Sequence, residues 1–469
     1  MTASEPLHTT YDFDTIIDRH GHDALAVDGL GAMPGFSPEP PDAGWDEIPM
    51  WVADMNFATC PTIPEAIIER AKHPLYGYFL PTDAYFQSII DWQRDRNGVT
   101  GLAPEHIGYE NGVLGGVLSV LNAVCSRGDE VLLHSPTYNG FTMSLENAGY
   151  RIVHSPLHRD ASGVWRMDYA DMDAKLKAHN IHAAVFCSPH NPTGRVWERG
   201  EIEQAMEVYR ANDVTVISDE IWSDLILPSD GQAGSGARHI PTQSVSDDAR
   251  LRTAAFYAPS KTFNLAGLVG SYHIIYNKAL RDRVVAAGSK SHYNEMNVLS
   301  MHALVGAYRP EGRVWVDELC RVLARNVDWA CSYIEQHFDG VSVARPQGTY
   351  MLYLDCTGWL AKRGGATAGT PAAGVSQAAG MPAVGASGTG VPQGALSVAA
   401  CAGAGAGAES CAAAPVTMDD LIRRGWRVGV GWEDGRIFHW PNSIRLNLAL
   451  PFARVQEAFH RMDRYVFNA

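Results

Sequence analysis

Residues 183–194 read AAVFCSPHNPTG, in which five small or apolar residues are followed at once by a polar turn. Residues 201–212, after this turn, have the apolar spacing of a helix, and residues 214–217 form a second short apolar run. An apolar run, a helix and another apolar run make the βαβ pattern of a parallel sheet covered by helices. This stretch therefore predicts an α/β fold with a mostly parallel sheet.

Two further apolar runs, at residues 131–133 and 253–257, extend the pattern on either side. Both are short enough to be buried strands. Parallel strands end at the same edge of a sheet, and ligands bind beyond their carboxyl ends. The residues that follow each of the four runs are therefore candidates for a functional site.

An aromatic ring, an amide, a carboxylate and an amine follow the four runs, in the order Tyr138, Asn191, Asp219 and Lys261. Each of them alone is an ordinary turn, loop or core residue. The four in this order indicate one site at one edge of the sheet.

These four side chains suit the cofactor pyridoxal 5′-phosphate (PLP), whose pyridinium ring is an electron sink for an amino acid that loses its α-proton. Lys261 can carry PLP as a Schiff base and then act as the base, since a desolvated lysine has a lowered pKa. Asp219 can keep the ring nitrogen protonated, and Asn191 can donate to the phenolate oxygen. Tyr138 can stack on the ring.

The cofactor phosphate needs a separate cradle, for which Gly112, Val113 and Leu114 are the candidates. They precede a helix-like run at residues 117–124, and free N–H groups at a helix N-terminus bind phosphate. Ser260 can add a hydroxyl group.

Arg445 is the candidate for the α-carboxylate of the substrate. It lies inside the apolar run at residues 443–448, and the arginine fork binds carboxylates bidentately. The alternative is a surface salt bridge on an edge strand.

The C-terminal part of the chain has a different pattern. We expect a large PLP-binding domain at residues 51–310 and a small α+β domain at residues 311–469, with residues 1–50 as an N-terminal segment packed on the small domain. The elements expected in the small domain are a helix at 318–337, strands at 341–343, 350–354, 427–430 and 443–448, and a helix at 455–465.

Residues 364–416 consist mostly of Ala, Gly, Ser, Thr and Pro, with Glu409 as their one charged residue. Such a segment has few large side chains to bury, so burial cannot offset the entropy of ordering it. We expect a flexible, low-complexity insertion in the small domain.

The composition excludes several partners. The net charge of −15, without a basic stripe, argues against nucleic acid as the main partner. No run of about 18 apolar residues predicts a membrane span. No secretory signal is visible, and the eight cysteines show no CxxC spacing, so we expect a cytoplasmic protein.

Several motifs together resemble a known family, the fold type I PLP enzymes of the aminotransferase class I/II superfamily. The motifs are NPTG at 191–194, SDEI at 218–221, SKTFN at 260–264 and RLN at 445–447. Within this superfamily, MWVADMNF at 50–57 and YGY at 76–78 look like the MalY/PatB-type cystathionine β-lyase (C–S lyase) branch.

The resemblance implies a β-lyase that cleaves cystathionine or another L-cysteine S-conjugate to a thiol, pyruvate and ammonia. It implies the same roles for the residues assigned above, with Arg445 on the substrate carboxylate. It also implies that Tyr78 reaches the cofactor phosphate of the other subunit, and therefore a homodimer with shared active sites.

Some residues depart from the pattern of the branch. Asn56 and Trp222 stand where the branch usually has Asp and His, Ala258 replaces a serine, and residues 19–25 lack the usual basic and Trp-containing pattern. Trp222 alters the cofactor pocket near the phenolate oxygen, since indole cannot accept a hydrogen bond. An L-amino-acid aminotransferase, and less plausibly a PLP-binding regulatory protein with little turnover, therefore stay open as alternatives.

Overall fold

The computed structural model of the chain describes residues 7–229, 236–290, 294–365 and 415–469. The strands are β1 (Ile48–Pro49), β2 (Ile107–Asn111), β3 (Glu130–Ser135), β4 (Arg151–Pro156), β5 (His158–Arg159), β6 (Trp165–Arg166), β7 (Ala183–Cys187), β8 (Thr215–Asp219), β9 (Thr253–Tyr257), β10 (Gly270–Ile274), β11 (Ser342–Val343), β12 (Met351–Asp355), β13 (Val430–Gly431), β14 (Glu433–Asp434) and β15 (Ser443–Asn447).

The helices surround these strands. They are α1 (Leu25–Asp28), α2 (Thr62–Ala71), α3 (Asp83–Asn97), α4 (Gly112–Val124), α5 (Asn139–Asn147), α6 (Tyr169–His179), α7 (Arg199–Ala211), α8 (Asp247–Arg252), α9 (Pro259–Thr262), α10 (Lys278–Ser289), α11 (Val298–Ala307), α12 (Pro310–His337), α13 (Thr357–Lys362), α14 (Met418–Arg427) and α15 (Phe452–Met462). Among the residues that the structure describes, no helix is long and apolar enough to cross a membrane.

The large sheet has seven strands in the order β2-β10-β9-β8-β7-β3-β4. Strand β10 is antiparallel to both of its neighbours, and every other pairing is parallel. The four strands predicted from apolar runs are β3, β7, β8 and β9. The predicted fold class, a mostly parallel sheet covered by helices with a smaller α+β unit, is confirmed.

Burial explains why these residues form a parallel sheet. All five residues of β7 are buried, and so are all five of β9, as expected for strands covered on both faces. The covering helices present apolar stripes to the sheet. In α7, for example, Ile202, Ala205, Met206 and Tyr209 are buried at helical spacing.

The C-terminal part forms a four-stranded sheet in the order β11-β12-β15-β14. The N-terminal segment joins this part of the molecule through β1, which pairs in parallel with β13. The arrangement agrees with the expected small unit, and the domain boundaries 50/51 and 310/311 stay predictions.

Several element boundaries differ from the predictions, among them the starts of α4, α12 and β13. Helix α4 begins at Gly112, before the predicted run at 117–124, and α12 begins at Pro310 instead of residue 318 because proline suits the first turn of a helix. The strand predicted at 427–430 was wrong at its start. Residues up to Arg427 belong to the amphipathic helix α14, and Gly429, with φ +81°, turns the chain into β13.

Most of the predicted insertion, residues 366–414, lies outside the described residues. The described residues on either side of residues 366–414 are in contact with each other. The backbone N–H of Val416 donates to the carbonyl of Arg363 at 3.3 Å, and a Cβ placed on Gly364 would lie 3.7 Å from Cβ of Pro415. A short linker can therefore join these ends.

Replacing residues 366–414 with a Gly-Ser linker of about six residues is expected to leave the protein folded. A shorter loop costs less closure entropy, so the free energy of unfolding should rise by no more than about 2 kcal/mol. Urea denaturation of both proteins measures this difference. A loss of stability, or a chain that no longer folds, would contradict the interpretation of the segment as a flexible insertion.

Candidate active site

The predicted site residues lie at the ends of adjacent parallel strands. Asp219 is the last residue of β8, and Tyr138, Asn191 and Lys261 follow β3, β7 and β9 within four residues. Cα of Asp219 is paired with Cys187 on one side and with Phe256 on the other. The order of strands in the sheet therefore brings the four side chains to one edge.

Lys261 lies in the one-turn helix α9, and its Nζ donates to the carbonyl oxygen of Ala53 at 2.8 Å. Desolvation of the amine by burial lowers the pKa of Lys261 to about 8. The nearby carboxylates of Asp54 and Asp219 oppose this effect. A larger fraction of this amine is therefore neutral at pH 8 than is usual for lysine.

Asp219 is a buried carboxylate whose Oδ1 accepts a hydrogen bond of 3.0 Å from the backbone N–H of Ile221. Burial raises the pKa of Asp219 to about 7, and the positive charge of Lys261 opposes this only in part. A buried carboxylate is stabilised by a cation beside it. A protonated ring nitrogen of a ligand would be such a cation.

The ring of Tyr138 lies over Gly140, where a Cβ atom would come within 2.4 Å of Cε1 of the ring. Residue 140 must therefore be glycine for the ring to keep this position. Burial raises the pKa of the Tyr138 hydroxyl to about 12, so it stays protonated. The ring packs edge-on against Phe141, with the centroids 5.4 Å apart.

Asn191, which follows β7 of the large sheet, is in direct contact with Arg445, which lies in β15 of the small sheet. Nη1 of Arg445 donates to Oδ1 of Asn191 at 3.3 Å, and Nη2 donates to the carbonyl of Trp51 at 2.8 Å. Because the amide oxygen of Asn191 is used in this bond, its NH₂ group is the part left to donate to a ligand.

The candidate phosphate turn stands at the N-terminus of α4. Gly112 has φ +75°, a conformation that favours glycine, and it follows β2 directly. Strand β2 runs in the same direction as β9, because β10 lies antiparallel between them. The first-turn N–H groups of Gly112, Val113 and Leu114 therefore lie at the same edge of the sheet as Lys261 and its neighbour Ser260.

The two remaining predicted residues, Trp222 and Tyr78, differ in burial. Trp222 is buried against Tyr350, with ring centroids 4.7 Å apart, and its ring centroid lies 5.9 Å from Nζ of Lys261. Tyr78 is fully exposed on this chain, in a segment without helix or strand. The structure thus brings Trp222 to the site, and a single chain does not bring Tyr78 to it.

Sequence reasoning missed several contacts of the site. The hydroxyl of Tyr350 donates to the same Ala53 carbonyl as Lys261, at 2.9 Å. Arg19 forms an ion pair of 2.5 Å with Asp54 and donates to Oδ1 of Asn56 at 3.0 Å. No local pattern indicates these contacts, because each joins segments that are distant in sequence.

Glu433 was also missed, and it forms a buried ion pair with Arg445. A signal for it was present in the sequence. Like Arg445, it is a charged residue next to apolar residues, within Val430-Gly431-Trp432-Glu433.

The arrangement fits PLP on structural grounds. The buried carboxylate of Asp219 accepts one hydrogen bond from the backbone of Ile221, and a carboxylate can accept several. It can therefore also accept a hydrogen bond from a protonated ring nitrogen. Because Gly140 has no Cβ, the ring of Tyr138 can keep its position beside the site, where an aromatic ring can stack on a cofactor ring. The amine of Lys261, with its lowered pKa, is suited to react with an aldehyde.

Known proteins resemble the chain over most of its length. The sequence model of the family described as Aminotransferase class I and II matches residues 48–462. Cystathionine beta-lyase PatB of Bacillus subtilis (strain 168) is 32% identical over 73% of this chain and 84% of its own length. Protein MalY of Escherichia coli (strain K12) is 29% identical over 74% and 84%. The crystal structure of the PLP-bound C-S lyase from Staphylococcus hominis has a TM-score of 0.76 and 25% identity, covering 97% of this chain and 98% of that chain.

The lowered pKa of Lys261 can be measured in protein freed of small molecules. Acetic anhydride reacts with neutral amines, so the acetylation of Lys261 should rise with pH through a midpoint near 8 instead of near 10.5. Mass spectrometry of peptides gives this curve, and the exposed Lys278 provides the reference curve in the same sample. Coincident curves for the two lysines would show that burial does not perturb Lys261.

Proposed function

Because the chain belongs to the class I and II aminotransferase family, we propose that it is a PLP-dependent β-lyase that cleaves cystathionine or another L-cysteine S-conjugate. The products are a thiol, pyruvate and ammonia, with one water consumed. The observation that carries the PLP-dependent chemistry of this proposal is the convergence of Tyr138, Asn191, Asp219 and Lys261 at one edge of the parallel sheet.

Besides Lys261, four side chains and one turn would hold the cofactor. Bound PLP supplies an electron sink that stabilises negative charge at Cα of an amino acid. Asp219 would hold a proton on the ring nitrogen, and the NH₂ group of Asn191 would donate to the phenolate oxygen. Tyr138 would cover one face of the ring, and the first turn of α4 with Ser260 would bind the phosphate.

Lys261 has two roles in this proposal, attachment of the cofactor and transfer of a proton. Near neutral pH its lowered pKa leaves a useful fraction of neutral amine, which can accept the proton from Cα of the substrate. The carbonyl of Ala53 holds Nζ at 2.8 Å, so the amine has a fixed position from which to act.

Arg445 would bind the α-carboxylate of the substrate, and Trp222 would line the pocket beside Lys261. The guanidinium lies in contact with Asn191, so a carboxylate bound there would sit next to the cofactor. Buried arginine recognises carboxylates through charge-assisted hydrogen bonds, which are about twice as strong as neutral ones.

A lyase and an aminotransferase need the same lysine, carboxylate and arginine, so these residues do not separate the two reactions. The relative named cystathionine beta-lyase, at 32% identity, favours the lyase. The cytoplasmic location expected from the sequence stays a prediction.

The reaction is tested by incubating the holoenzyme with cystathionine in the absence of any keto acid. We expect many equivalents of pyruvate and free thiol per enzyme, measured with lactate dehydrogenase and a thiol reagent. The Lys261→Ala variant should lose this turnover by at least about 10³-fold, because both the attachment point and the base are removed. Turnover that requires a keto acid acceptor would identify an aminotransferase instead.

We infer in addition that the enzyme is a homodimer in which Tyr78 of one subunit contacts the cofactor phosphate of the other. The exposure of this segment supports the inference. Tyr78 and its neighbours Leu75 and Leu80 are largely exposed on the single chain, which is unusual for a cluster of large apolar side chains. Tyr76, in contrast, donates its hydroxyl to the carbonyl of Ala71 in its own chain, at 2.9 Å.

Shared active sites predict complementation between two inactive variants. In a mixed dimer of Tyr78→Ala and Lys261→Ala, one site carries both defects and the other carries neither. Co-expression should therefore give activity above the sum of the separate variants, up to about a quarter of wild type. Tyr76→Phe is the matched control and should keep near wild-type activity. A mixed dimer without any gain would exclude the sharing of sites.

A further inference from the structure

Glu433 and Arg445 form a buried ion pair across the small sheet. They are directly opposite residues of the antiparallel strands β14 and β15, and each side chain is only 3% exposed. Oε2 of Glu433 accepts a hydrogen bond from Nη2 of Arg445. The residue proposed to bind the substrate carboxylate therefore already has an internal carboxylate as its partner.

The remaining contacts of Arg445 fix the direction of its guanidinium. Nη1 and Nη2 also donate to Asn191 and to the carbonyl of Trp51, and the guanidinium carbon lies 4.6 Å from the ring centroid of Phe438. Nε of Arg445 is buried and has no hydrogen-bond partner among the residues that the structure describes. The guanidinium thus keeps a buried N–H donor for a ligand.

The charge of Glu433 acts on any anion that approaches this donor. A carboxylate ligand meets an arginine whose charge is already partly neutralised by a carboxylate in hydrogen-bond contact. In a buried environment the repulsion between two carboxylates is screened less than in water. Burial itself raises the pKa of Glu433 to about 7, and the charge of Arg445 opposes this rise.

We propose that Glu433 is a positioning and specificity-determining residue, which holds the Arg445 guanidinium against Asn191 and weakens the binding of carboxylate ligands at this arginine. The inference rests on the proposed function, because it takes Arg445 as the carboxylate site. It adds a consequence for turnover: pyruvate also carries a carboxylate, and weaker binding favours its release.

Glu433→Gln removes the negative charge and keeps an oxygen that can accept from Arg445. Calorimetry with the holoenzyme would compare 3-(methylthio)propionate with its amide, two probes that have no amine and cannot react with the cofactor. At pH 8, where most of the wild-type Glu433 is ionised, we expect the Kd of the carboxylate probe to fall about tenfold in the variant, and the Kd of the amide to change less than twofold. A purely structural role would weaken both probes together.

Asp434→Asn is the matched control, since it makes the same chemical change at the neighbouring residue, whose side chain pairs with Arg436. Its carboxylate Kd should stay at the wild-type value. Glu433→Thr provides a second uncharged variant if Glu433→Gln fails to fold, and it should tighten carboxylate binding as well.

Two results would overturn the inference: a carboxylate Kd that is unchanged or higher in folded Glu433 variants, or an unchanged carboxylate Kd in Arg445→Gln. Because the assay measures binding without turnover, these results are independent of whether cystathionine yields pyruvate. A failure of the lyase proposal and a failure of this one can therefore be told apart.

Discussion

The active site depends on one constraint, the parallel direction of the strands that carry it. Strands β3, β7, β8 and β9 are neighbours, so their carboxyl ends form one row. Each end delivers one functional side chain, and none of these side chains needs to be close to another in sequence. A shift of β8 by one residue would turn Asp219 to the other face of the sheet. The buried pairing on both sides of Asp219 prevents such a shift.

The convergence of these side chains buries two ionisable groups, Lys261 and Asp219, and their desolvation costs free energy. The charges of Lys261 and Asp219 attract each other, which favours the ionised form of both groups. The pKa of Lys261 is nevertheless lowered to about 8, and that of Asp219 is raised to about 7. Desolvation therefore outweighs their mutual attraction. Opposite shifts of this kind are characteristic of a site where proton transfer takes place. A ligand that brings its own cationic ring nitrogen and a reactive carbonyl group relieves both costs.

The sequence predicts well those elements that depend on residues close together in the chain. Strands β7 and β9 were predicted to the residue, because a short apolar run bounded by turns has few other interpretations. Partnerships between distant segments were not predictable in this way. Arg445 was expected either at a substrate or in a surface salt bridge, and the structure shows a buried pair with Glu433. Periodicity reports which face of a strand is buried, but not which side chain lies opposite.

The RLN motif at residues 445–447 illustrates how distant segments are joined. Arg445 donates to the carbonyl of Trp51, and Asn447 donates to the carbonyls of Val52 and Asp54. The carbonyl between these last two belongs to Ala53, which accepts from Lys261. Strand β15 of the small sheet thus holds the backbone that contacts Lys261, which lies in α9 after the large-sheet strand β9. A displacement of β15 would therefore move the arginine proposed to bind the carboxylate and the proposed base together, so the two proposed roles share one support.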